Sequence, residues 1–383
     1  MTRVDAIIIG AGQAGPPLAG RLTAAGMTVV LIERHLFGGT CVNTGCMPTK
    51  TLVASAYAAH VVRRAADYGV IAAPPQIDMA RVKARADAVS SSARTGVERR
   101  LRGMAGCTVF QGPAELESAD TVRVGVERLT APRIFINVGG RAHVPDLPGV
   151  GDVPFLTNTS ILALDTLPRH LIVVGGSYVG LEFAQMYRRF GAEVTVIEMA
   201  PRLIAREDDD VSEEVRRILE GEGVALRTEA KCISLARHAE GVAVSVDCTS
   251  GPPDVVGSHV LLAVGRRPNT HDLGLERAGV ATDERGYVVV DEQLATNVPG
   301  VWALGDCNGR GAFTHTAYND YEIVADNLLS SAGRVPADPL VLTWRATRWR
   351  CAGARRSPKA PWRSASRSRP GSLSRPGSRS ASR

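Results

Sequence analysis

The sequence predicts an α/β protein with two Rossmann-like dinucleotide-binding domains, followed by a basic C-terminal tail that is disordered. Three observations support this prediction. Two glycine-rich turns each follow a short apolar run and precede a helical segment, and the two units stand at a constant interval along the chain. Such alternation is typical of buried parallel strands joined by helices. Acidic residues then cease before a final stretch rich in Arg, Ser and Pro.

The first unit lies at the N-terminus. Val4–Ile9 is a continuous apolar run, which predicts a parallel strand buried on both faces. It is followed by the motif Gly10-Ala11-Gly12-Gln13-Ala14-Gly15, a helical stretch, and a second predicted strand, Met27–Ile32, that ends in Glu33. Glycines at this spacing allow a tight turn and close approach of a pyrophosphate, and the helix N-terminus favours the negative charge. Glu33 can then accept hydrogen bonds from ribose hydroxyls.

The second unit repeats the first. The run Leu171–Val174 precedes Gly175-Gly176-Ser177-Tyr178-Val179-Gly180, and the strand Val194–Ile197 ends in Glu198. Both outer glycines and the terminal glutamate stand 165 residues after their counterparts. This shared offset predicts two sites for two different nucleotides. Ser177 replaces the middle glycine, which narrows the room for a pyrophosphate without closing it.

Two cysteines, Cys41 and Cys46, stand at the start of a predicted helix. Pro48 suits the first position of a helix over Thr49–Arg64. The positive end of the helix dipole favours a thiolate at Cys46, and a second cysteine within reach predicts a redox-active disulfide. The alternatives are two buried free cysteines or half of a metal site. A zinc site would need further Cys or His residues at matching spacing, and none follows.

A third element is Thr296–Asp306, a predicted strand that ends in Gly-Asp and could aim the Asp306 carboxylate at a polyol. Taken together, these motifs resemble the pyridine nucleotide–disulfide oxidoreductases of the glutathione reductase and dihydrolipoamide dehydrogenase type. Within that family the chain resembles most closely the mercuric-reductase-like flavoproteins, over about residues 3–335. The resemblance implies that the chain binds FAD and a nicotinamide nucleotide.

The resemblance also implies the roles of particular residues. Glu33 would hold the adenosine ribose of FAD, Asp306 the ribityl chain, and Gly112 and Ala114 the adenine end. Tyr178 would cover the nicotinamide pocket. The full set of implied cofactor-binding residues is Gly10, Gly12, Gly15, Glu33, Gly39, Thr40, Lys50, Gly112, Ala114, Gly139, Gly175, Ser177, Tyr178, Gly180, Glu198, Gly265 and Asp306.

The implied reaction is electron transfer from the nicotinamide through FAD to the cysteine pair. Cys41 would be the thiol that meets the substrate, Cys46 the thiol that faces the flavin, and Lys50 would pair with Glu182 beside the flavin. The final electron acceptor would be a small disulfide, an oxidised-halogen compound such as hypothiocyanous acid, or a thiophilic metal ion. No resident metal site is predicted, and mercury is doubtful as the acceptor because the additional cysteines associated with mercury handling are absent from the sequence.

Coenzyme choice depends on Glu198. A carboxylate about 4 Å from the 2′-phosphate of NADPH would cost on the order of 1 to 4 kcal/mol, depending on the effective dielectric constant. NADH is therefore the expected coenzyme. NADPH stays open because Arg202 and Arg206 follow and could offset the repulsion.

The motifs predict a domain order. An FAD domain takes residues 1–150 and 281–336, and a nicotinamide domain over residues 151–280 is inserted into it. Residues 51–100 predict one or two long helices with a break at Pro74 and Pro75. No run of 18 apolar residues occurs, so no membrane span is expected. A cysteine pair that must cycle suits the reducing cytoplasm.

Charge is distributed unevenly. The chain has a net charge of +6, but residues 343–383 hold eleven Arg and Lys359, or +12, so residues 1–342 have 33 basic against 39 acidic residues, or −6. Residues 337–383 are predicted to be a non-globular tail. One interpretation is a tail that binds nucleic acid or anionic surfaces without specificity. The other is that this tail is read out of frame in place of an interface domain.

That second interpretation has consequences for function. In the family, the interface domain forms a homodimer and supplies a His-Glu pair to the partner's cysteines, and no such pair is evident here. His315 is instead predicted to be a helix-start residue near the flavin. The alternative function is therefore a truncated flavoprotein that binds nucleotides, turns over little, and adheres to nucleic acid through its tail.

Overall fold

The computed structural model describes residues 1–247 and 251–329, which form an α/β structure. The predicted tail, residues 337–383, lies outside the described residues. Within them, two parallel sheets each carry one of the predicted nucleotide-binding units. Both units are built in the same way.

The first parallel sheet is central to the N-terminal unit. Its five strands, in spatial order, are β18 (Val301–Ala303), β8 (Ile134–Ile136), β2 (Ala6–Ile9), β3 (Val29–Glu33) and β4 (Cys107–Gln111). Helix α1 (Gly15–Ala24) connects β2 to β3. The predicted strand and helix order is therefore confirmed. Strands β2 and β3 begin about two residues later than the apolar runs because Asp5 accepts hydrogen bonds from the backbone N–H and the hydroxyl of Thr28, at 2.8 and 2.7 Å.

The alternation of side chains in this sheet determines its two layers. Ile8 packs on one face with Leu18 of α1 and with the C-terminal helix α7 (Thr314–Leu329). Ile7 and Ile9 pack on the other face. That second face is covered by a small sheet of β1 (Thr2–Arg3), β7 (Glu127–Thr130), β6 (Thr121–Val124) and β5 (Ala114–Leu116). Burial of one such isoleucine contributes about 1.5–3 kcal/mol.

The second parallel sheet repeats this arrangement. Its strands, in spatial order, are β12 (Ala225–Arg227), β11 (Glu193–Ile197), β10 (His170–Val174) and β16 (His259–Leu262). Helix α5 (Tyr178–Phe190) connects β10 to β11 and covers one face. The other face packs against an antiparallel sheet of β13 (Lys231–His238), β14 (Gly241–Asp247) and β15 (Asp254–Gly257).

Strand β9 (Gly140–Ala142) follows β8 of the first parallel sheet, and β17 (Arg266–Pro268) follows β16 of the second. These two strands pair in a two-stranded antiparallel ribbon. Its register places Arg141 opposite Arg267. The remaining helices are α2 (Gly39–Asn43), α3 (Cys46–Arg63), α4 (Met79–Arg102) and α6 (Asp209–Gly221). Short 3₁₀ turns span Ala65–Tyr68, Val150–Asp152, Ser160–Ala163 and Gly305–Asn308.

Helix α3 positions the cysteines. It begins at Cys46, two residues before Pro48, because the N–H of Thr49 already bonds the carbonyl of Gly45 at 3.0 Å. Pro48 is tolerated at the third position, where its N–H would have no helical partner. Leu52 and Ala56 pack in one core with residues of α4 and α5. The predicted break between α3 and α4 is confirmed, and no described helix is long and apolar enough to cross a membrane.

Candidate active site

The two cysteines face each other across the junction of α2 and α3. Cys41 lies in the middle of α2, and Cys46 is the first residue of α3. Between them, Gly45 makes a turn so tight that a Cβ there would stand 2.9 Å from the Thr40 carbonyl oxygen. Both cysteines are free thiols, Cys41 half-buried and Cys46 exposed. The sequence predicted this proximity, and the structure adds the contacts that distinguish the two sulfurs.

The surroundings make Cys46 the thiolate of the pair. A hydrogen bond from the Cys41 thiol lowers the pKa of Cys46 to about 6, with further stabilisation from the Thr314 hydroxyl and the charge of Lys50. The same hydrogen bond and partial burial raise the pKa of Cys41. Near neutral pH the two sulfurs therefore hold one proton in total, and that proton is on Cys41.

Lys50 and Glu182 form an ion pair, as the resemblance implies. Lys50 lies one turn after Cys46 on α3, and Glu182 lies in the second turn of α5. This pair joins the helix that carries the cysteines to the helix that follows the second glycine loop. Both side chains are partly exposed, so the pair contributes little to stability and more to placement of the charge beside Cys46.

The first glycine loop can accept only glycine at two positions. Gly10 has a φ of +109°, and a Cβ there would stand 2.2 Å from the backbone oxygen of Asn137. A Cβ on Gly15 would stand 2.2 Å from the oxygen of Gly10. Gly12 is different, because its nearest protein atom would be 3.5 Å from a Cβ. The protein leaves the space beside Gly12 open, and a residue without a side chain there permits the close approach of a ligand.

Glu33 is fixed beside this loop. It is 8% exposed, and its two carboxylate oxygens accept the N–H groups of Ala11 and His35, each at 2.9 Å. A carboxylate has about four acceptor sites, so each oxygen retains capacity for a ribose hydroxyl. Gly112 donates its N–H to the Glu33 carbonyl at 3.0 Å, which places it and the nearby Ala114 close to the same strand end.

The second glycine loop has the same geometry. Gly175 has a φ of +118°, and a Cβ on Gly180 would stand 2.0 Å from the oxygen of Gly175. The Glu198 carboxylate accepts the N–H groups of Gly176 and Ala200 at 2.5 and 2.8 Å, as Glu33 does in the first unit. Ser177, at the position of Gly12, is exposed in extended backbone and so causes no backbone strain.

Tyr178 opens α5 at the edge of this loop. Its hydroxyl donates to Glu207, and its ring meets Phe313 edge-on at 6.0 Å between ring centroids. Burial and the bond to Glu207 raise the pKa of Tyr178 to about 12. Phe313 stacks in turn on His315, at 5.3 Å. His315 is the second residue of α7, as the prediction of a helix-start residue expected.

Asp306 lies in the 3₁₀ turn Gly305–Asn308, where it pairs with Arg266 at 3.2 Å. The buried side chain of Asp320, which is 2% exposed, stabilises this turn through hydrogen bonds. Asp320 accepts the N–H of Gly305 at 2.7 Å and the side-chain amide of Asn308 at 3.0 Å. Burial raises the pKa of Asp320 to about 6, although both hydrogen bonds oppose the rise.

The structure brings further predicted residues to this site. A Cβ on Gly39 would stand 2.8 Å from the Cα of Gly12, so the start of α2, with Thr40, lies against the first glycine loop. Gly139 and Gly265 both have a positive φ and border the ribbon of β9 and β17. Their neighbourhoods are open, with no atom within 4 Å of a Cβ at either position.

Sequence reasoning missed three residues that organise the site. Asn137, 7% exposed, donates its amide to the Gly10 carbonyl at 3.1 Å. Thr314 contacts Cys46, and Asp320 supports the turn of Asp306. A polar residue directly after an apolar strand was a signal for Asn137. Thr314 and Asp320 carried no such signal, because their partners are distant in sequence.

The other cysteines are only partly as expected. The sequence predicts buried free thiols at Cys107, Cys232, Cys248 and Cys307, because these four lack partners at useful spacing. Cys307 is buried, which raises its pKa to about 12. Cys107 is half-buried. Cys232 is exposed, so the prediction is wrong there; it lies on β13 at a register irregularity with a φ of +50°. Cys248 lies outside the described residues. No group of three or more His, Cys, Asp or Glu in the described residues could hold a metal ion.

Comparison with known proteins decides the family. The family model described as pyridine nucleotide-disulphide oxidoreductase matches residues 4–320. The chain belongs to this family. Members with similar sequences include a mercuric reductase of Streptomyces lividans, 36% identical over 339 residues, which are 87% of this chain and 71% of that protein. A dihydrolipoyl dehydrogenase of Thermus scotoductus is 34% identical over 334 residues, 85% of this chain and 71% of that protein.

The Escherichia coli protein RclA provides the structural comparison. Named a probable pyridine nucleotide-disulfide oxidoreductase, it is 36% identical over 345 residues, 88% of this chain and 74% of that protein. Its solved structure, described as an HOCl-induced flavoprotein disulfide reductase, superposes with a TM-score of 0.78 over 87% of this chain and 73% of that chain. The predicted fold class is thus confirmed, and this pyridine nucleotide-disulphide oxidoreductase is a flavin disulfide oxidoreductase with FAD as its cofactor.

Proposed function

We propose that the chain passes two electrons from NADH, or less readily NADPH, through FAD to the disulfide of Cys41 and Cys46, and from there to a small acceptor. The acceptor classes are a disulfide, an oxidised-halogen compound or a thiophilic metal ion. The observation that carries this proposal is the arrangement of two free thiols, Cys41 in α2 and Cys46 at the start of α3, with the ion pair of Lys50 and Glu182 one helical turn away. FAD, when bound, supplies the two-electron exchange between a nicotinamide and this cysteine pair.

The two thiols would act in sequence on a disulfide. The Cys41 sulfur attacks one substrate sulfur while the proton of Cys41 passes to Cys46. This attack forms a mixed disulfide between Cys41 and the substrate and releases the first thiolate. That thiolate takes the proton from Cys46 and leaves as a thiol. The Cys46 thiolate then attacks the Cys41 sulfur, which forms the Cys41–Cys46 disulfide and releases the second thiolate. The substrate gains two electrons and the dithiol loses two.

The two glycine loops would divide the nucleotides between them. We assign FAD to residues 1–150 and 281–336, where Gly10, Gly15 and Glu33 would hold the pyrophosphate and ribose. We assign the nicotinamide nucleotide to residues 151–280. The support is the similar backbone geometry of the two loops, each of which has two positions where only glycine fits.

NADH is favoured at the second loop by the fixed Glu198 carboxylate. Two backbone N–H groups aim it, so it cannot swing away from a 2′-phosphate without losing both bonds. Of the two arginines that could neutralise it, Arg202 is engaged by Asp209. Arg206 has no ion-pair partner within the described residues. It is therefore the remaining arginine that could neutralise Glu198 and permit the use of NADPH.

Among acceptors, a disulfide or oxidised-halogen compound fits the site better than a metal ion. One solved structure of RclA is described as its Cu(II) complex. In this chain, however, a metal ion at the site would meet two thiols without a further cluster of ligands in the described residues. Because the cysteine pair must be reduced repeatedly, we place the protein in the cytoplasm.

The test measures NADH-driven reduction of the acceptor. FAD-loaded protein with NADH is given an aromatic disulfide, hypothiocyanous acid, Hg(II) or Cu(II), and both NADH loss and product are followed. We expect acceptor-dependent turnover that Cys41→Ser abolishes and that Cys232→Ser, a matched exposed thiol elsewhere, leaves unchanged. NADH consumption that depends on oxygen alone, with no reduction of any acceptor, would contradict the proposal.

A further inference from the structure

A basic cavity of about 660 Å³ lies beside the ribbon of β9 and β17, next to the Arg266–Asp306 pair. None of the residues that line it is assigned to a nucleotide or to the cysteine pair. The ribbon residues Arg141, His143 and Arg267 line one side. The opposite side is the turn that contains Arg285 and Tyr287. Arg285 lies over the Tyr287 ring, 5.3 Å from its centroid.

The ribbon register places two like charges directly opposite each other. Arg141 and Arg267 are cross-strand partners in an antiparallel pair, so their side chains leave the same face of the ribbon. Like charges at such positions destabilise a sheet. Arg141 donates from Nη1 to the Pro268 carbonyl at 2.7 Å and to the Asn269 side chain at 3.1 Å, which anchors the side chain but leaves its other N–H groups available and its charge unmatched.

Charge around the cavity is not balanced by the protein. Within the described residues, no carboxylate lies within ion-pair distance of Arg141, Arg267 or Arg285. Arg266, at the inner end, pairs with Asp306. Glu276 and Glu284 also line the cavity, but neither pairs with these arginines.

Two buried polar atoms in the wall also lack a partner. His143 Nδ1 and Arg266 Nε are enclosed without a hydrogen bond in the described residues. Burial, followed by the charges of Arg267 and Arg285, lowers the pKa of His143. Buried polar groups are normally satisfied, and an unsatisfied one indicates a missing partner.

We propose that this cavity binds a small polyanion with two or more negative charges, held by Arg141, Arg267 and Arg285. Guanidinium groups bind phosphate and carboxylate oxygens in a bidentate manner, and three such groups around one cavity select for multiple charge. The anion would remove the repulsion between the two cross-strand arginines. The site is separate from both glycine loops, whose residues do not line it.

The experiment uses the full chain with excess FAD and NAD⁺, so that both nucleotide sites are occupied. Inorganic pyrophosphate and citrate are titrated separately by calorimetry, which distinguishes a phosphate from a carboxylate ligand. We expect saturable binding of at least one. The double variant Arg141→Gln/Arg267→Gln should bind at least about tenfold more weakly, or about 1.4 kcal/mol. Arg217→Gln, an exposed arginine that pairs with Glu214 on α6, is the matched control and should bind normally.

Thermal unfolding provides a second readout that does not depend on activity. The anion should raise the melting temperature of the unsubstituted chain and not that of the double variant. Without anion, the double variant should be at least as stable as the parent, since the like-charge pair is gone. Should the double variant fail to fold, Arg285→Gln is measured in its place. Equal affinity in parent and variant, or no saturable binding of either anion while both nucleotides are present, would overturn the proposal.

Discussion

Thr314, which lies 268 residues after Cys46 in the sequence, should help to control the charge on the Cys46 sulfur. Its hydroxyl is one of the groups that hold the pKa of Cys46 at about 6. Thr314→Val removes this donor and preserves the shape of the side chain. A hydrogen bond to a charged group is worth about 1.5–3 kcal/mol, and one pKa unit is about 1.4 kcal/mol, so the pKa should rise by about one to two units.

The sign of the effect on charge follows directly. A thiol with a lowered pKa is a thiolate above that pKa and becomes protonated as the pH falls through it. At pH 7 a pKa of about 6 gives about nine-tenths thiolate, whereas a pKa of 7 to 8 gives about half to one-tenth. The variant should therefore lose about half to nine-tenths of the thiolate at neutral pH and recover it at higher pH.

The assay is a pH titration of the two-electron-reduced, FAD-loaded protein. A thiolate beside a flavin gives a long-wavelength absorbance band, and its midpoint reports the pKa of Cys46. Thr314→Ser retains the hydroxyl and is the control, so its midpoint should stay near that of the parent. An unchanged midpoint in Thr314→Val at full FAD content would refute the reasoning. Retention of the band in Cys46→Ser, with loss in Cys41→Ser, would reverse the roles of the two sulfurs.

Three further predictions concern the nucleotides. Asp306→Asn should lower FAD content on purification, measured by flavin absorbance per chain, and a fully loaded variant would remove Asp306 from the site. Gly15→Ala should lose FAD, because its Cβ would stand 2.2 Å from a backbone oxygen. Gly180→Ala should retain FAD and lose nicotinamide binding. The opposite pattern would mean that the nucleotides are assigned to the wrong loops. Glu198→Gln should narrow the ratio of kcat/KM for NADH over NADPH by up to about tenfold, and a parent enzyme that prefers NADPH would contradict this assignment.

Local signals in the sequence located much of the site. Gly10 and Gly175 have the positive φ values that only glycine adopts easily, so their motifs determine backbone shape wherever they occur. Apolar runs predicted the central strands because a parallel strand is buried on both faces. Boundaries were less accurate. Helix α3 begins at Cys46, not near Pro48, since the turn at Gly45 starts the hydrogen-bond pattern earlier.

The sequence by itself determined the two nucleotide-binding units, the cysteine pair and the family, because each depends on residues close together in the chain. The tertiary structure decided which distant side chains stabilise the charge on Cys46 and how the turn of Asp306 is held. Thr314 reaches Cys46 from 268 residues away, and Asn137 reaches Gly10 from 127 residues away. Nor could the spacing of Arg141 and Arg267 reveal that they oppose each other across a ribbon. Contacts of this kind follow from how the two sheets and α7 pack, and packing is a property of the whole chain.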